Sequence, residues 1–296
     1  MRKHYIMISQ YSFYTILACA LLSAEVFAQD TTVTIPKNDY EEVLKYYFPS
    51  KEKANNIDIF TDRPHQTETA EMVPYKHFQI ESGISMEIDH DGDTRNENIY
   101  YNSLLMKYGI GSGMDLRIGF DYLNHDAYNG DTLLSRIKGF SGLSFGGKKF
   151  LCRGTKYLPK VSLMAEMYLP YFGKKEFRPN FTGGTLRLLC EHEIGENTEL
   201  EYNFGPDWGG IIPNVSYFYA VSLTQKVAGP LSIYGEIYGF FNENKDLSYT
   251  NDFRCDAGFV YLLKKNLQLD LEGGIAFTSP QLGYFAACGI SWRVPN

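Results

Sequence analysis

Of the six histidines in the 296-residue sequence, four sit where local spacing could suggest catalysis or metal binding. A nucleophilic serine needs a base held beside it. A His-x-Ser spacing is absent, because His77 precedes Gln79, His125 precedes Ala127 and His192 precedes Ile194. His125-Asp126 reads as a polar loop pair rather than a dyad. His90 lies among Asp89, Asp91 and Asp93, but Thr94 stands where a calcium loop requires Gly and Tyr100 where it requires Glu, so a solvated hairpin loop is expected. Cys152, Cys190, Cys255 and Cys288 have no C-x-x-C spacing and, in an oxidising compartment, three possible pairings. Cys190, Cys255 and Cys288 share the parity of apolar neighbours, which favours small outward side chains. No enzyme activity, metal or cofactor is expected.

The remaining chemistry is in charged residues that alternate with apolar ones. In His77 to Asp89, Phe78, Ile80, Ile84, Met86 and Ile88 fall on one parity, and Gln79, Glu81, Ser85 and Glu87 on the other. Alternate side chains of a strand point to opposite faces, so such a strand separates two solvents. The pattern recurs in Ile99 to Ile110, Met114 to Leu123, Gly139 to Lys149, Lys160 to Leu169, Thr185 to Ile194 and Thr198 to Gly205. It continues in Val215 to Gln225, Leu231 to Phe241, Phe253 to Leu262, Leu267 to Phe277 and Tyr284 to Val294. Membrane strands need about 9–11 residues, and single-chain bacterial barrels have an even strand number.

The connections give a second criterion. Gly111 to Gly113, Gly195 to Asn197, Lys226 to Pro230 and Leu263 to Asn266 are tight; His90 to Asn98, Asn124 to Lys138, Pro170 to Gly184, Pro206 to Asn214 and Asn242 to Asp252 are long. Long outer loops alternating with short inner turns are expected of an outer-membrane barrel. Phe150 to Pro159 and Thr278 to Gly283 depart from that alternation. A soluble sandwich or lipocalin-like barrel would also alternate. Aromatic residues near strand ends, such as Tyr122, Tyr168 and Trp292, favour the membrane form. The expected fold class is all-β: a transmembrane antiparallel β-barrel of about twelve strands, residues 77–296.

Residues 1–28 carry Arg2 and Lys3, an apolar run and Val26-Phe27-Ala28, as a cleaved signal peptide would. A lipidated Cys19 after Leu17 is a poorer alternative. Residues 29–76 are of another kind. Tyr40, Val43, Leu44 and Tyr47 have helical spacing ahead of Pro49, and a polar extended stretch runs from Lys51 to Lys76. That stretch is either a solvated tail or a plug-like segment threaded into the barrel. The chain's net charge is −7, and removal of the leader leaves −8, which argues against a nucleic-acid partner.

Thr61-Asp62-Arg63-Pro64 with Thr67-Glu68, Phe78-Gln79-Ile80-Glu81, Lys107-Tyr108-Gly109, Leu116-Arg117-Ile118-Gly119, Leu169-Pro170, Gly235 to Gly239 and Gly289 to Arg293 together carry a resemblance. In order and spacing they resemble the bacterial outer-membrane family described as "putative MetA-pathway of phenol degradation", from Thr61 to about Val294. The resemblance implies a barrel similar to outer-membrane fatty-acid transporters and a transport role with apolar substrates. Two departures are Tyr171-Phe172 after Pro170 and the ending Val294-Pro295-Asn296 in place of an aromatic. The second leaves Cys288, Ile290, Trp292 and Val294 as an imperfect signal for the barrel-assembly machinery, an expected partner beside outer-membrane lipid and a small-molecule solute.

With the polar parity inward, Glu81, Glu87, Asp115, Asp121, Glu166, Glu191, Glu193, Glu199, Glu201, Glu236, Asp256, Asp270 and Glu272 face the lumen, against Lys107, Arg117, Lys148, Arg187 and Arg254. An acidic lumen favours cations or neutral solutes. Buried charges must be solvated or paired. Arg63, flanked by Asp62 and Pro64, is expected to dock among inward carboxylates, with Glu166 and Glu236 as partners. A greasy pocket for apolar substrates is not evident among the inward residues. The expected function is passive diffusion of small molecules, with a non-conducting surface barrel as the alternative.

Overall fold

The computed structural model describes residues 56–294, apart from 112, 156, 211–214, 244–248 and 278–281. The expected leader and the helix around Tyr40 to Tyr47 lie outside the described residues. Among the described residues thirteen strands follow one another: β1 (Phe78–Asp91), β2 (Thr94–Gly109), β3 (Met114–Asn129), β4 (Thr132–Phe140), β5 (Leu143–Cys152), β6 (Lys160–Leu169), β7 (Phe181–Glu193), β8 (Thr198–Gly210), β9 (Val215–Ala228), β10 (Leu231–Glu243), β11 (Tyr249–Lys264), β12 (Leu267–Phe277) and β13 (Gly283–Val294). Each pairs antiparallel with its neighbour, and β1 pairs with β13 from Phe78↔Val294 to Ile88↔Tyr284, which closes the sheet. Closure leaves no open edge in the membrane, where an unpaired backbone group is costly.

β4 and β5 lie end to end on the same partner. β4 pairs with the far half of β3, Tyr122↔Phe140 to Asn129↔Thr132, and β5 with its near half, Met114↔Lys149 to Gly119↔Ser144. Ser141-Gly142 interrupts one strand position, so thirteen strands make a closed twelve-strand barrel.

Apolar side chains alternate outward around the wall. Ile84, Ile118, Phe259, Leu271, Ile290 and Trp292 are all exposed, whereas Glu81, Lys107, Asp115, Arg117, Lys148 and Arg293 are all buried. This inverts the arrangement of a water-soluble barrel, because the solvent outside is hydrocarbon. The four cysteines among the described residues are free. Cys152 and Cys288 are exposed and Cys255 is half-buried, but Cys190 is buried rather than presented to lipid.

The strands run longer than the sequence alternation suggests, and Asn124 to Lys138 is not a loop. β3 continues to Asn129, turns on Gly130 with φ 55°, and returns from Thr132. Along the outward face of β3, Leu116, Ile118, Phe120 and Tyr122 give way to Asn124 and Asp126. Apolar parity ends where lipid ends, but the backbone ladder continues, supported by Asp126 paired with Arg136 at 2.7 Å.

Leu271 stands mid-strand on the outward face. Leu271→Arg should lower unfolding stability in lipid vesicles by about 2–4 kcal/mol. At an exposed position of a soluble barrel the change would stay within about 0.5 kcal/mol in denaturant titration.

Candidate functional site

The site begins with a conflict in the wall. Lys107 on β2 faces Arg117 on β3 across the ladder, and Lys148 on β5 lies one pair away, opposite Asp115. Like charges directly opposed on neighbouring strands repel, and all three cations are buried. Residues 56–76 resolve that conflict. This stretch forms no strand, apart from one bridge of Tyr75 to Gly109, and its polar groups bond to inward residues around the wall.

The Asp62 carboxylate lies 2.7 Å from Lys107 Nζ, 2.9 Å from Lys148 Nζ and 3.4 Å from an Arg117 nitrogen. Burial by itself would raise its pKa, but the three cations outweigh that and hold the carboxyl well below the usual carboxylate range. Arg117 also reaches Glu68 at 2.5 Å and Glu166 at 2.9 Å. Lys107 pairs with Glu81, which in turn accepts the Asp62 N–H at 3.0 Å. Lys148 donates to the Thr69 carbonyl at 2.8 Å, and Asp115 accepts the Val73 N–H at 3.1 Å.

Arg63 points the other way. Its guanidinium makes a two-point contact with Asp270 on β12, at 3.0 and 3.4 Å. It lies over Gly83 and Gly289, which face each other on β1 and β13, and Asp270 is the next residue in the same row. A Cβ at either glycine would collide with the guanidinium. The expected partners of Arg63 were Glu166 and Glu236, and both are engaged elsewhere. Glu166 answers Arg117, and Glu236 accepts the backbone N–H groups of Gln66 and Thr67 at 2.8 and 2.6 Å. Pro64 follows a cis peptide bond.

Further on, Asn203 exchanges hydrogen bonds with the Glu68 backbone, Thr69 donates to Glu191 at 3.1 Å, and Lys160 joins Glu71 to Glu191. Asn203, Thr69 and Lys160 carry no local signal in sequence, since their roles depend on which backbone group lies opposite.

The other inward residues form a second zone. Arg254 reaches Glu87 at 2.6 Å across two intervening strands, and Tyr234 donates to Glu272 at 3.0 Å. Arg187 pairs with Asp207 at 3.6 Å and lies 3.8 Å from the Phe218 ring centre. Phe218, Ala220 and Tyr238 form a buried cluster with Phe240 and Phe285 against it. Tyr238 and Phe285 meet edge-on at 6.4 Å from non-adjacent strands, so both face inward. No greasy pocket is evident among the inward residues read along the chain, and this aromatic patch corrects that expectation. It was missed because its members come from β9, β10 and β13.

Two cavities flank the segment. One of about 310 Å³ lies toward the short turns, bordered by Ile59, Glu199 and Pro230; the other, of about 190 Å³, is bordered by Gln66, Leu105, Arg117 and Arg187. Arg63 and His65 line both, so these two side chains separate them. His65 sits 3.5 Å from Glu201 and packs edge-on to Tyr234.

Removing Asp62 takes away the one carboxylate that three buried cations share, a loss of about 3–5 kcal/mol even though Glu81, Glu68 and Glu166 keep part of the compensation. Asp62→Ala should therefore expose residues 56–76 to protease in detergent, while Asp62→Glu should largely preserve protection. The sign of the pH dependence follows from the lowered pKa. The Asp62 contribution is complete above the ordinary carboxylate range and is lost only as pH falls through the depressed value. Protection measured at pH 5 should match that at pH 7.

The family model described as "Putative MetA-pathway of phenol degradation" matches residues 61–294. Curated protein sequences gave no match. Among solved structures, the COG4313 outer membrane channel from Pseudomonas putida F1 is similar with a TM-score of 0.60 at 12% identity, covering 76% of this chain and 98% of that one. The transport unit of the autotransporter AIDA-I from Escherichia coli is similar with a TM-score of 0.51 at 12% identity, covering 84% and 98%. At such identities the likeness is one of fold, that of an outer-membrane β-barrel. The matched stretch starts at Thr61, so it spans the barrel and most of the described segment that docks in it: this chain belongs to the "Putative MetA-pathway of phenol degradation" family.

Proposed function

We propose that this protein is an outer-membrane channel passing small molecules, apolar or aromatic ones included, by passive diffusion, with residues 56–76 acting as its plug. The observation that carries this reading is the septum of Arg63 and His65 between two lumenal cavities. A lumen built only as structural filling has no need of a charged divider held by one ion pair and two glycines.

The division of labour within the plug supports the same reading. Asp62 is fixed among three cations, an anchor that is expensive to break. Among the described residues Arg63 pairs with one carboxylate, the buried Asp270, against the three cations around Asp62, so swinging it aside leaves one charge uncompensated rather than several. Selectivity then comes from what lines the path. Arg187 and Phe218 offer a charge and a ring face, and Tyr238, Phe240 and Phe285 offer an apolar wall. The solved COG4313 relative is itself named an outer membrane channel. The charged residues Glu81, Asp115, Arg117, Lys148, Glu166, Arg187, Glu236, Arg254 and Glu272 serve in this reading as plug supports or lumen lining.

The same proposal includes export through a leader removed after Ala28, insertion by the barrel-assembly machinery and lipid around the outer face. Amino-terminal sequencing of the membrane-inserted protein should then begin at Gln29.

Planar-bilayer recording tests the septum. Arg63→Ala should raise single-channel conductance, and Gly289→Val, which fills the niche but keeps both charges, should do the same. Unchanged conductance in both variants, with the barrel folded, would remove the gating role. Liposome swelling tests the lining: Phe218→Ser with Phe240→Ser should slow entry of a small aromatic solute several-fold relative to a sugar of equal size.

A further inference from the structure

The inward cations are not equally satisfied. Lys107, Lys148, Lys160, Arg117 and Arg254 each lie within 2.9 Å of a carboxylate oxygen. Arg187 on β7 does not. Its one ion-pair partner among the described residues, Asp207 on β8, stands at 3.6 Å, too far for a hydrogen bond. Arg187 Nε and Asp207 Oδ1 are both buried with no hydrogen-bond partner among those residues. The Arg187 side chain is only 12% exposed, so bulk water replaces little of what Asp207 withholds.

Register explains where the guanidinium goes instead. Gly205 on β8 pairs with Phe218 on β9, and a Cβ on that glycine would come 2.9 Å from Arg187 Cα. With no side chain in between, Arg187 crosses β8 and rests on the Phe218 ring, its central carbon 3.8 Å from the ring centre. Guanidinium donors lie in the plane of the group, so a face laid on a ring leaves the edge for a ligand. Arg187 also lines the cavity of about 190 Å³ that lies beyond the Arg63 and His65 septum, away from the short turns.

Charge compensation decides the sign of that ligand. Asp62, Glu68 and Glu81, which border the same cavity, are matched to Lys107, Lys148 and Arg117. Glu166 is matched to Arg117 as well. The carboxylates here are engaged and the Arg187 guanidinium is not, so the cavity accepts one negative charge although the chain carries −7. Asp207, close by, disfavours a second. Through Phe218 the same guanidinium adjoins the aromatic patch of Tyr238, Phe240 and Phe285. Phe218 and Phe240 lie near the long-loop ends of β9 and β10, so a solute entering from outside meets the rings before the charge.

We propose that Arg187 and this cavity form a lumenal subsite for an aromatic carboxylate, its two oxygens on the guanidinium edge and its ring against the aromatic patch. The assignment rests on the channel reading and names a class of solute for that path. A carboxylate is planar and takes two parallel N–H bonds from a guanidinium. A neutral ring gains only the apolar wall, and an ammonium meets a cation in place of an anion.

Ligand-observed NMR titration of the full-length barrel in non-ionic detergent, with benzoate, benzyl alcohol, benzylammonium and acetate, tests the subsite without reading conductance. Wild-type protein should bind benzoate at least about ten-fold more tightly than any of the other three; ten-fold corresponds to about 1.4 kcal/mol. Arg187→Gln should bring benzoate to the level of benzyl alcohol, and Arg187→Lys, which keeps the charge and loses the fork, should fall between. Phe285→Leu should weaken benzoate and benzyl alcohol alike and leave acetate unchanged. Heat-modifiable migration on SDS gels reports that each variant is folded; where Arg187→Gln is not, Arg187→Lys and Phe285→Leu carry the test. Benzoate bound no more tightly than benzyl alcohol by wild type, or equally by wild type and the folded Arg187 variants, would overturn the proposal. Arg187-dependent benzoate binding in a barrel that passes no current would keep the subsite and remove the channel, whereas current without such binding would remove the subsite alone.

Discussion

Two cations, Lys107 and Arg117, face each other inside a wall that offers them little water. That confrontation is the constraint on which the lumen depends. In a soluble protein two such residues would turn outward, but here outward is lipid, and parity leaves them only the interior. Glu81 and Glu166 supply part of the compensation from the wall itself. The rest arrives from Asp62 and Glu68 on a separate stretch of chain. The barrel's interior is thus electrostatically incomplete without residues 56–76.

The opposite wall has the complementary problem. Glu191 faces Glu201, Glu193 faces Glu199, and Glu236 faces Asp256. An extended chain sends adjacent side chains in opposite directions, so the consecutive residues Asp62 and Arg63 can serve both walls at once. Asp62 turns to the basic side formed by β2, β3 and β5, and Arg63 to the acidic side at β12. Backbone N–H groups of Gln66 and Thr67 meet Glu236. The segment works as a strip of alternating charge and hydrogen-bond donors, matched to a lumen whose two sides differ in sign.

Much of the barrel was legible because a membrane strand must repeat with period two and must alternate long and short connections. The template from Phe78 to Ile88 falls within β1, and β6 and β12 have the limits that alternation indicates. Beyond Leu123 the alternation of apolar and polar residues stops, so the sequence predicts a loop where β3 and β4 form a hairpin. The break at Ser141-Gly142 was invisible for a related reason. Each half of that strand keeps its own parity, and only pairing with β3 shows that the two halves share one position.

Composition and parity by themselves determined that this chain makes an outer-membrane-type barrel with a charged interior, because those properties depend on each residue's type and its distance along the strand. They also singled out Arg63 as a group needing a carboxylate. Which carboxylate it takes was settled only by register. Asp270, Gly289 and Gly83 fall in one row because β12, β13 and β1 meet with one particular stagger, and the two glycines leave a niche the size of a guanidinium. Register also set Lys107 against Arg117 and gathered Phe218, Tyr238 and Phe285 into one lumenal patch. Stagger between strands far apart in sequence is the outcome of closing the whole sheet, so no local pattern encodes it.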